Sequence, residues 1–346
     1  MIQIGDWVDR KYLVKQKIGQ GGMSTVFLVQ DNRLQKDWAL KTIEKSAMKN
    51  GEVYTQSLLS EVELLKKIDH PAIPRIIDIF EDENQISIVL DFVKGQSLDR
   101  ILEVSGPLSQ NLSIQIGLQV CDALIYLHGL HVPVIYRDIK PANLVIEHGC
   151  KVRLIDFGIA RELKNGTVED TNCLGTRGYA APEQYGGSGQ SDKRTDIYCL
   201  GVTMYHLLTG HNPTNPPYEI SSIRKKNPQL SRGLEKIIKK ATKSNPEERY
   251  QNCSEFKKAL ENYKKEDGVR QRKQQKLIVK FIATFIIFLI STVYVCSSNY
   301  QGVSTIKSDC LKIKKEFQTL NLKELFGGAA TKFDRLLKSN GIYREV

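Results

Sequence analysis

Residues 277–296, LIVKFIATFIIFLISTVYVC, are a run of twenty whose single charge is Lys280. A helix rises about 1.5 Å per residue, so the run would be about 30 Å long, the thickness of a bilayer's hydrocarbon core. Ten of the sixteen residues from 281 to 296 are Phe, Ile, Leu or Val. At roughly −0.3 to −0.6 kcal/mol each they outweigh one lysine that can snorkel to the interface. A buried core helix of this length would carry a polar face, and this run has none. It reads as a single transmembrane helix that divides the chain: residues 1–262 must fold in water, 263–276 link them to the membrane, and 297–346 remain for the far side.

The charge distribution orients that division. The formal net charge is +11, and seven Lys or Arg lie between 264 and 280 while 297–306 contain none. Such a cluster fits a membrane surface better than nucleic acid, so no nucleic-acid partner is expected. The positive-inside bias then puts 1–262 in the cytoplasm and the tail outside the cell membrane. The seven cysteines include no CxxC pair and no zinc-type histidine spacing, which argues against a metal site or disulfide framework and for a reducing compartment. At the N-terminus, Asp6, Asp9, Arg10 and Lys11 stand where a signal peptide needs an apolar run.

Within the aqueous part, 12–18, 25–30, 38–43, 76–80 and 86–92 read as strands, the last two joined by the polar turn 81–85. Leu58, Val62, Leu65 and Ile68 recur at helical spacing over 57–68, with Glu61 on another face. Beyond about 97 the pattern is mostly helical, as at 113–130, 195–209 and 234–242, with short β-like runs between 135 and 160. The fold class is α+β in two lobes, a β-rich one over about 1–93 and a helical one over about 94–262.

Three segments carry chemistry. Gly19, Gly21 and Gly22 sit on a turn between two strands, where the lack of a Cβ lets backbone N–H groups approach phosphate. Lys41 ends the strand Trp38-Ala39-Leu40-Lys41, and Glu61 is its natural charge partner. Residues 136–143, YRDIKPAN, are followed thirteen residues after Asn143 by Asp156, Phe157 and Gly158, and then by Ala181, Pro182 and Glu183. With Asp196 and Arg249 in their expected places, residues 10–262 resemble the protein kinase superfamily. Lys140 and the Gly175-Thr176 pair are similar to the serine/threonine branch. The stretches GQGGMSTV (19–26), DHPAI (69–73) and GYAAPEQ (178–184) look most like bacterial transmembrane kinases.

The resemblance implies the two-lobe kinase fold, ATP with Mg2+ or Mn2+, and Ser/Thr-bearing protein substrates. It implies that Asp138 accepts the proton of the substrate hydroxyl, that Lys140 steadies the γ-phosphate, and that Thr176 bonds near Asp138. Asn143 and Asp156 would bind the metal, and Lys41, paired with Glu61, would hold the phosphates. The loop of Ile18, Gly19, Gln20, Gly21, Gly22, Met23, Ser24, Thr25 and Val26 would cover the nucleotide. Adenine would lie between Val26 and Ala39 above and Val145 below, its edge read by backbone groups of Asp91 and Val93, with Leu90 as gatekeeper.

Tyr136 replaces the usual histidine before the catalytic arginine and is expected under Phe157. Ser24 replaces the third glycine of the loop. Arg177 stands where many relatives have proline, in the loop that meets the substrate residue after the phosphoacceptor, and would favour an acidic or polar residue there. Arg137 implies a site for an activation-loop phosphate, with Thr171 favoured and Thr167 second. Cys173 reads as a bystander thiol. A pseudokinase scaffold would have lost a metal ligand or the catalytic carboxylate, and small-molecule kinases generally lack the Ala-Pro-Glu motif. In the tail, Ile306, Cys310, Ile313, Phe317 and Leu320 form a short heptad seam. That seam suits a lipid-surface helix or a homodimer in which Cys310 would form an interchain disulfide under oxidising conditions.

Overall fold

The first lobe follows from the alternation of its strands. In the computed structural model, which describes residues 2–21, 24–45, 62, 65–156, 176–185, 191–216, 218, 220–265, 279, 282–284 and 286, six strands form one antiparallel sheet. They are β1 (Trp7–Val8), β2 (Tyr12–Gln20), β3 (Ser24–Asp31), β4 (Asp37–Glu44), β5 (Ile76–Glu81) and β6 (Gln85–Asp91), in the order β1-β2-β3-β4-β6-β5. Val26 stands opposite Lys41, and Ala39 opposite Leu90. Because side chains alternate along a strand, one face collects Phe27, Val29, Trp38, Leu40 and Val89, which bury with Tyr12 and Val14 in a small core. Ile43, Ile86 and Ile88 go to the other face and join the main core. Lys41, Ala39 and Val26 share that second face, which looks toward the helical lobe. The sheet curls enough for Lys11, just before β2, and Tyr12, its first residue, to reach the Asp78 carboxylate on β5 at 2.9 and 3.0 Å.

The second lobe begins with a close backbone approach. Strand β7 (Gly95–Ser97) pairs with β8 (Leu144–Glu147), which pairs with β9 (Lys151–Leu154). A Cβ on Gly95 would stand 2.3 Å from the Ile146 carbonyl oxygen, so only glycine fits. Helices α1 (Leu98–Ser105), α2 (Gln110–His128), α3 (Lys193–Thr209), α4 (Ile223–Lys226), α5 (Arg232–Ala241) and α6 (Cys253–Glu261) follow. The side chains of Ser109, Asp192 and Asn252 cap α2, α3 and α6, accepting from Leu112 N, Arg194 N and Glu255 N. Gly210, at φ 67°, closes α3 in the left-handed conformation. Helix α3 is the axis of the lobe: it is buried almost all round, from Thr195 to Leu208. Gly117 and Gly201 let α2 and the end of α5 come against it, with Met204, Ala241 and Thr242 filling the space.

The sequence reading places the strands and long helices correctly and misses short elements. Strand β2 runs past residue 18 to Gln20, into the glycine loop. Helix α2 starts at Gln110 rather than 113 because Ser109 is its cap. Of the helix expected over 57–68, residues 62 and 65–68 are described: Val62 and Leu65 are helical and buried, and the chain turns at 66–67 before the buried Ile68, so the helix ends short of 68. The chain divides into two compact units, Met1–Val269 and Arg270–Val346. Of the apolar run, the described residues 279, 282–284 and 286 are helical. Among the described residues no helix is long and apolar enough to cross a membrane. The other residues of 277–296, and the tail seam with Cys310, lie outside the described residues.

The fully buried Arg249 side chain holds Glu183 in a two-pronged ion pair, at 2.7 and 2.8 Å. Burial pushes the Glu183 carboxyl up, but the guanidinium outweighs it and holds the group below the usual range. The stability from the pair is thus present above the ordinary glutamate pKa, about 4.3, and is lost as pH falls through the lower folded value. Replacing Arg249 by Met should lower the unfolding free energy by about 3–5 kcal/mol, since it strands a carboxylate in the interior. In denaturant titrations, adding Glu183→Met should recover part of that loss.

Candidate active site

The site is assembled around residues 136–143, between α2 and β8. The Asp196 carboxylate, fully buried in the first turn of α3, accepts from the amides of Tyr136 (2.9 Å) and Arg137 (2.6 Å) and meets the His128 ring at 2.8 Å. Arg137 takes a left-handed backbone, φ 65°, which a side chain rarely adopts without such anchoring. The turn aims the next residue, Asp138, at the interlobe face. Thr203 on α3 donates to the Ile139 carbonyl at 2.9 Å and fixes the following residue as well.

Three side chains orient the Asp138 carboxylate. Thr176 donates to one oxygen at 2.8 Å, Asn143 donates to the other at 3.0 Å, and Lys140 lies 3.0 Å from that second oxygen while donating to Thr176 at 2.7 Å. Asn143 also donates to the Asp138 carbonyl at 2.8 Å. Committing its amide nitrogen to Asp138 leaves its carbonyl oxygen to face another way. Across the cleft the ammonium of the buried Lys41 meets Asp156 at 2.6 Å. The Asp156 amide donates to the buried Tyr136 hydroxyl at 3.3 Å, and burial raises the pKa of that phenol well above the ordinary value.

The structure therefore brings together Asp138, Lys140, Thr176 and Asn143, and separately Lys41 and Asp156. Val26 and Ala39 lie on the cleft face of the upper sheet, while Val145 is buried on β8 with Gly95 packed against it. β6 ends at Asp91, whose carboxylate is held by Arg75 at 3.0 Å, and the chain passes through Val93 to β7. Burial pushes the Asp91 carboxyl up, and the Arg75 guanidinium more than reverses this. Gly22, Met23, Glu61, Phe157, Thr167, Thr171 and Cys173 lie outside the described residues. The Lys41 contact among the described residues is Asp156, and the expected pairing with Glu61 lies outside them.

Asp156 and Asn143 are an oxygen-donor pair suited to a hard cation such as Mg2+, which takes few protein ligands when phosphate oxygens complete its shell. The half-exposed Asp156 carboxylate and the outward carbonyl oxygen of Asn143 fit that role. Among the described residues no cluster of three His, Cys, Asp or Glu could hold a metal by itself.

Residues 12–282 match the family described as protein kinase domain. The chain belongs to the protein kinase family. It is 32% identical to the serine/threonine-protein kinase PrkC of Bacillus subtilis over 265 residues, 73% of this chain and 40% of that protein. It is 32% identical to the serine/threonine-protein kinase PknB of Mycobacterium tuberculosis over 268 residues, 72% of this chain and 42% of that protein. The chain thus spans about two fifths of the length of these curated relatives. A crystal structure of the Mycobacterium tuberculosis PknI kinase domain superposes with a TM-score of 0.62 at 26% identity, covering 76% of this chain and 99% of that one. Kinases of this family use ATP with Mg2+ or Mn2+.

Two supports of the site escaped the sequence reading. Gln184, 3% exposed, donates to the Arg137 carbonyl at 3.0 Å and accepts from Ala181 N at 2.8 Å, tying the Ala-Pro-Glu turn to the catalytic loop. The Tyr179 hydroxyl and His206 Nδ1 meet at 2.6 Å inside the lobe. Neither residue stands out by spacing or charge, because each acts through a partner far away in the chain. Burial first, then His211, lowers the His206 pKa from 6.5 to about 4. The unfolded chain therefore takes up the proton before the folded one does, and stability falls as pH drops from 6.5 toward about 4, then levels off. His206→Asn, which keeps an acceptor near Tyr179, should flatten that part of the urea midpoint against pH curve relative to the natural protein.

Proposed function

We propose that this chain transfers the γ-phosphoryl group of ATP to serine and threonine hydroxyls of proteins, itself included. The observation that carries the reading is the Asp138 carboxylate, oriented by Thr176, Asn143 and Lys140, with Lys41 reaching across the cleft to Asp156, whose amide is bonded to Tyr136 of the same loop. Phosphoryl transfer asks for alignment and charge neutralisation more than covalent help. Asp138 aligns the acceptor hydroxyl and takes its proton as the oxygen attacks. Lys140, already between Asp138 and Thr176, steadies the transferred group, and Lys41 binds the phosphates in place of its present partner. Asn143 and Asp156 would hold Mg2+, whose positive charge would offset that of the phosphate oxygens. The glycine loop covers the nucleotide, and Ala39, Val26 and Val145 enclose its base. A pseudokinase scaffold would need one of Lys41, Asp138, Asn143 or Asp156 to be missing, and all are present.

The same reading extends to location. Supported by the apolar composition of 277–296 and the seven basic residues from 264 to 280, the chain is anchored by one membrane span, with the catalytic unit on the cytoplasmic side. The tail after 296 then lies outside, where its short seam could pair two copies.

Purified full-length protein given ATP and Mg2+ should label itself and a generic protein substrate on Ser or Thr. Asp138→Asn should reduce the rate by about 10²–10⁴, the span of a lost general base. Lys41→Met should also remove labelling. Retention of near-natural activity by Asp138→Asn would refute the assignment of the base. In cells, the intact chain should stay with membranes after alkaline carbonate extraction, and a chain cut after residue 265 should not.

A further inference from the structure

Beside Asp138 the structure holds a cation that the transfer chemistry does not use. Thr176 touches Asp138 directly, and Arg177 is the next residue. Its guanidinium is exposed and lies over the Tyr218 ring, 4.4 Å from the centroid. Among the described residues it meets that ring and no carboxylate.

The platform beneath it is built, not incidental. The amides of Tyr179 and Ala180 both donate to the Thr176 carbonyl at 3.0 Å, closing a turn around Arg177. Gly178, at φ 89°, presses so close to the chain opposite that a Cβ would stand 2.4 Å from the Pro213 carbonyl oxygen. That opposite segment is braced in turn: Asn212 accepts from the Thr214 amide and hydroxyl at 2.9 and 2.8 Å, and the Tyr218 amide donates to Asn215 at 3.0 Å. Tyr218 itself sits in the left-handed region, φ 62°, which holds its ring out under Arg177.

A guanidinium stacked on a ring uses its face and keeps its edge. The N–H donors along that edge stay in the plane, in the fork that matches a carboxylate. Adjacent Cα atoms are about 3.8 Å apart, so a guanidinium one residue beyond the Asp138 contact is within side-chain reach of the substrate residue next to the acceptor. We propose that Arg177, stacked on Tyr218, is a specificity subsite for an acidic side chain adjoining the phosphoacceptor, the residue after it by the family's docking direction. The inference rests on the kinase reading and narrows its substrates to acidic Ser/Thr sequences. Arg177 touches no reacting atom in this scheme, so the selectivity belongs in KM rather than in kcat.

The test is a peptide series offered to the full-length protein with ATP and Mg2+, identical except for Glu, Gln or Lys after a single serine. The natural protein should favour Glu over Gln by about fivefold in kcat/KM, the worth of one partly exposed ion pair, with kcat unchanged. Arg177→Gln should erase the Glu/Gln difference, Arg177→Glu should make the Lys peptide the best of the three, and Tyr218→Phe should keep the preference because the ring remains. Moving the Glu to the residue before the serine should lose the advantage. Equal kcat/KM for Glu and Gln in the natural protein, or an undiminished ratio in Arg177→Gln, would overturn the subsite while leaving the kinase reading intact. No transfer to any peptide or to the protein itself would overturn that reading, and the subsite with it.

Discussion

Everything at the reacting end of this molecule hangs on the Asp196 carboxylate. It is fully buried, and a carboxylate taken out of water is tolerated only when its lone pairs are filled by donors. The donors are the amides of Tyr136 and Arg137 and the His128 ring, at 2.6 to 2.9 Å. Two of them come from consecutive residues, so one charge on α3 fixes the direction of the catalytic loop and offsets the left-handed backbone at Arg137. Removing that charge would free the turn to relax toward ordinary φ values and swing Asp138 away from its supports. The anchor sits on the most buried helix of the lobe, where the surrounding side chains leave it little room to shift.

From this anchor the order spreads through the chain to the surface that would meet a substrate. Thr203 holds Ile139, Gln184 holds Arg137, and Arg249 holds Glu183 beside them. The loop carrying Thr176 and Arg177 is thereby tied to the catalytic loop by side chains from α3 and from beyond α5. Base and docking loop are therefore held by the same set of lower-lobe side chains. The upper lobe contributes differently. Its inner face shares the main core through Ile43, Ile86 and Ile88, while its outer face buries a separate small core.

How much of this was legible in the sequence depended on whether the information lay close together in the chain. The catalytic loop could be recognised because Arg137, Asp138, Lys140 and Asn143 fall within seven residues of one another, a contiguous motif that carries the family resemblance. The long strands and α2 could be read from periodicity. Helix α3 is apolar on nearly every side, so its period is weak, and the Asp192 cap that starts it two residues before the expected 195 was not read from the sequence. Strands β1 and β7 have two and three residues, too few for any alternation to register. The pairing of Lys41 with Asp156 bridges 115 residues, and nothing local to either residue could have announced it. Gln184, Tyr179 with His206, and the Tyr218 ring were likewise invisible, because their work is done on distant backbone or side chains.

The Lys41 contact bears on how a nucleotide would enter. An ion pair with the lysine 9% and the aspartate 42% exposed is partly desolvated, and each charge relies on the other for compensation. A triphosphate with its cation offers both a better partner: phosphate oxygens for the ammonium and a divalent ion for the carboxylate. Binding would exchange one ion pair for two and cost little reorganisation, since both side chains already point into the same space. Asn143 is primed in the same way, its amide nitrogen committed to Asp138 and its oxygen left to coordinate. The charges that phosphoryl transfer requires are thus already gathered in one place, and nucleotide with its cation would redistribute them rather than assemble them.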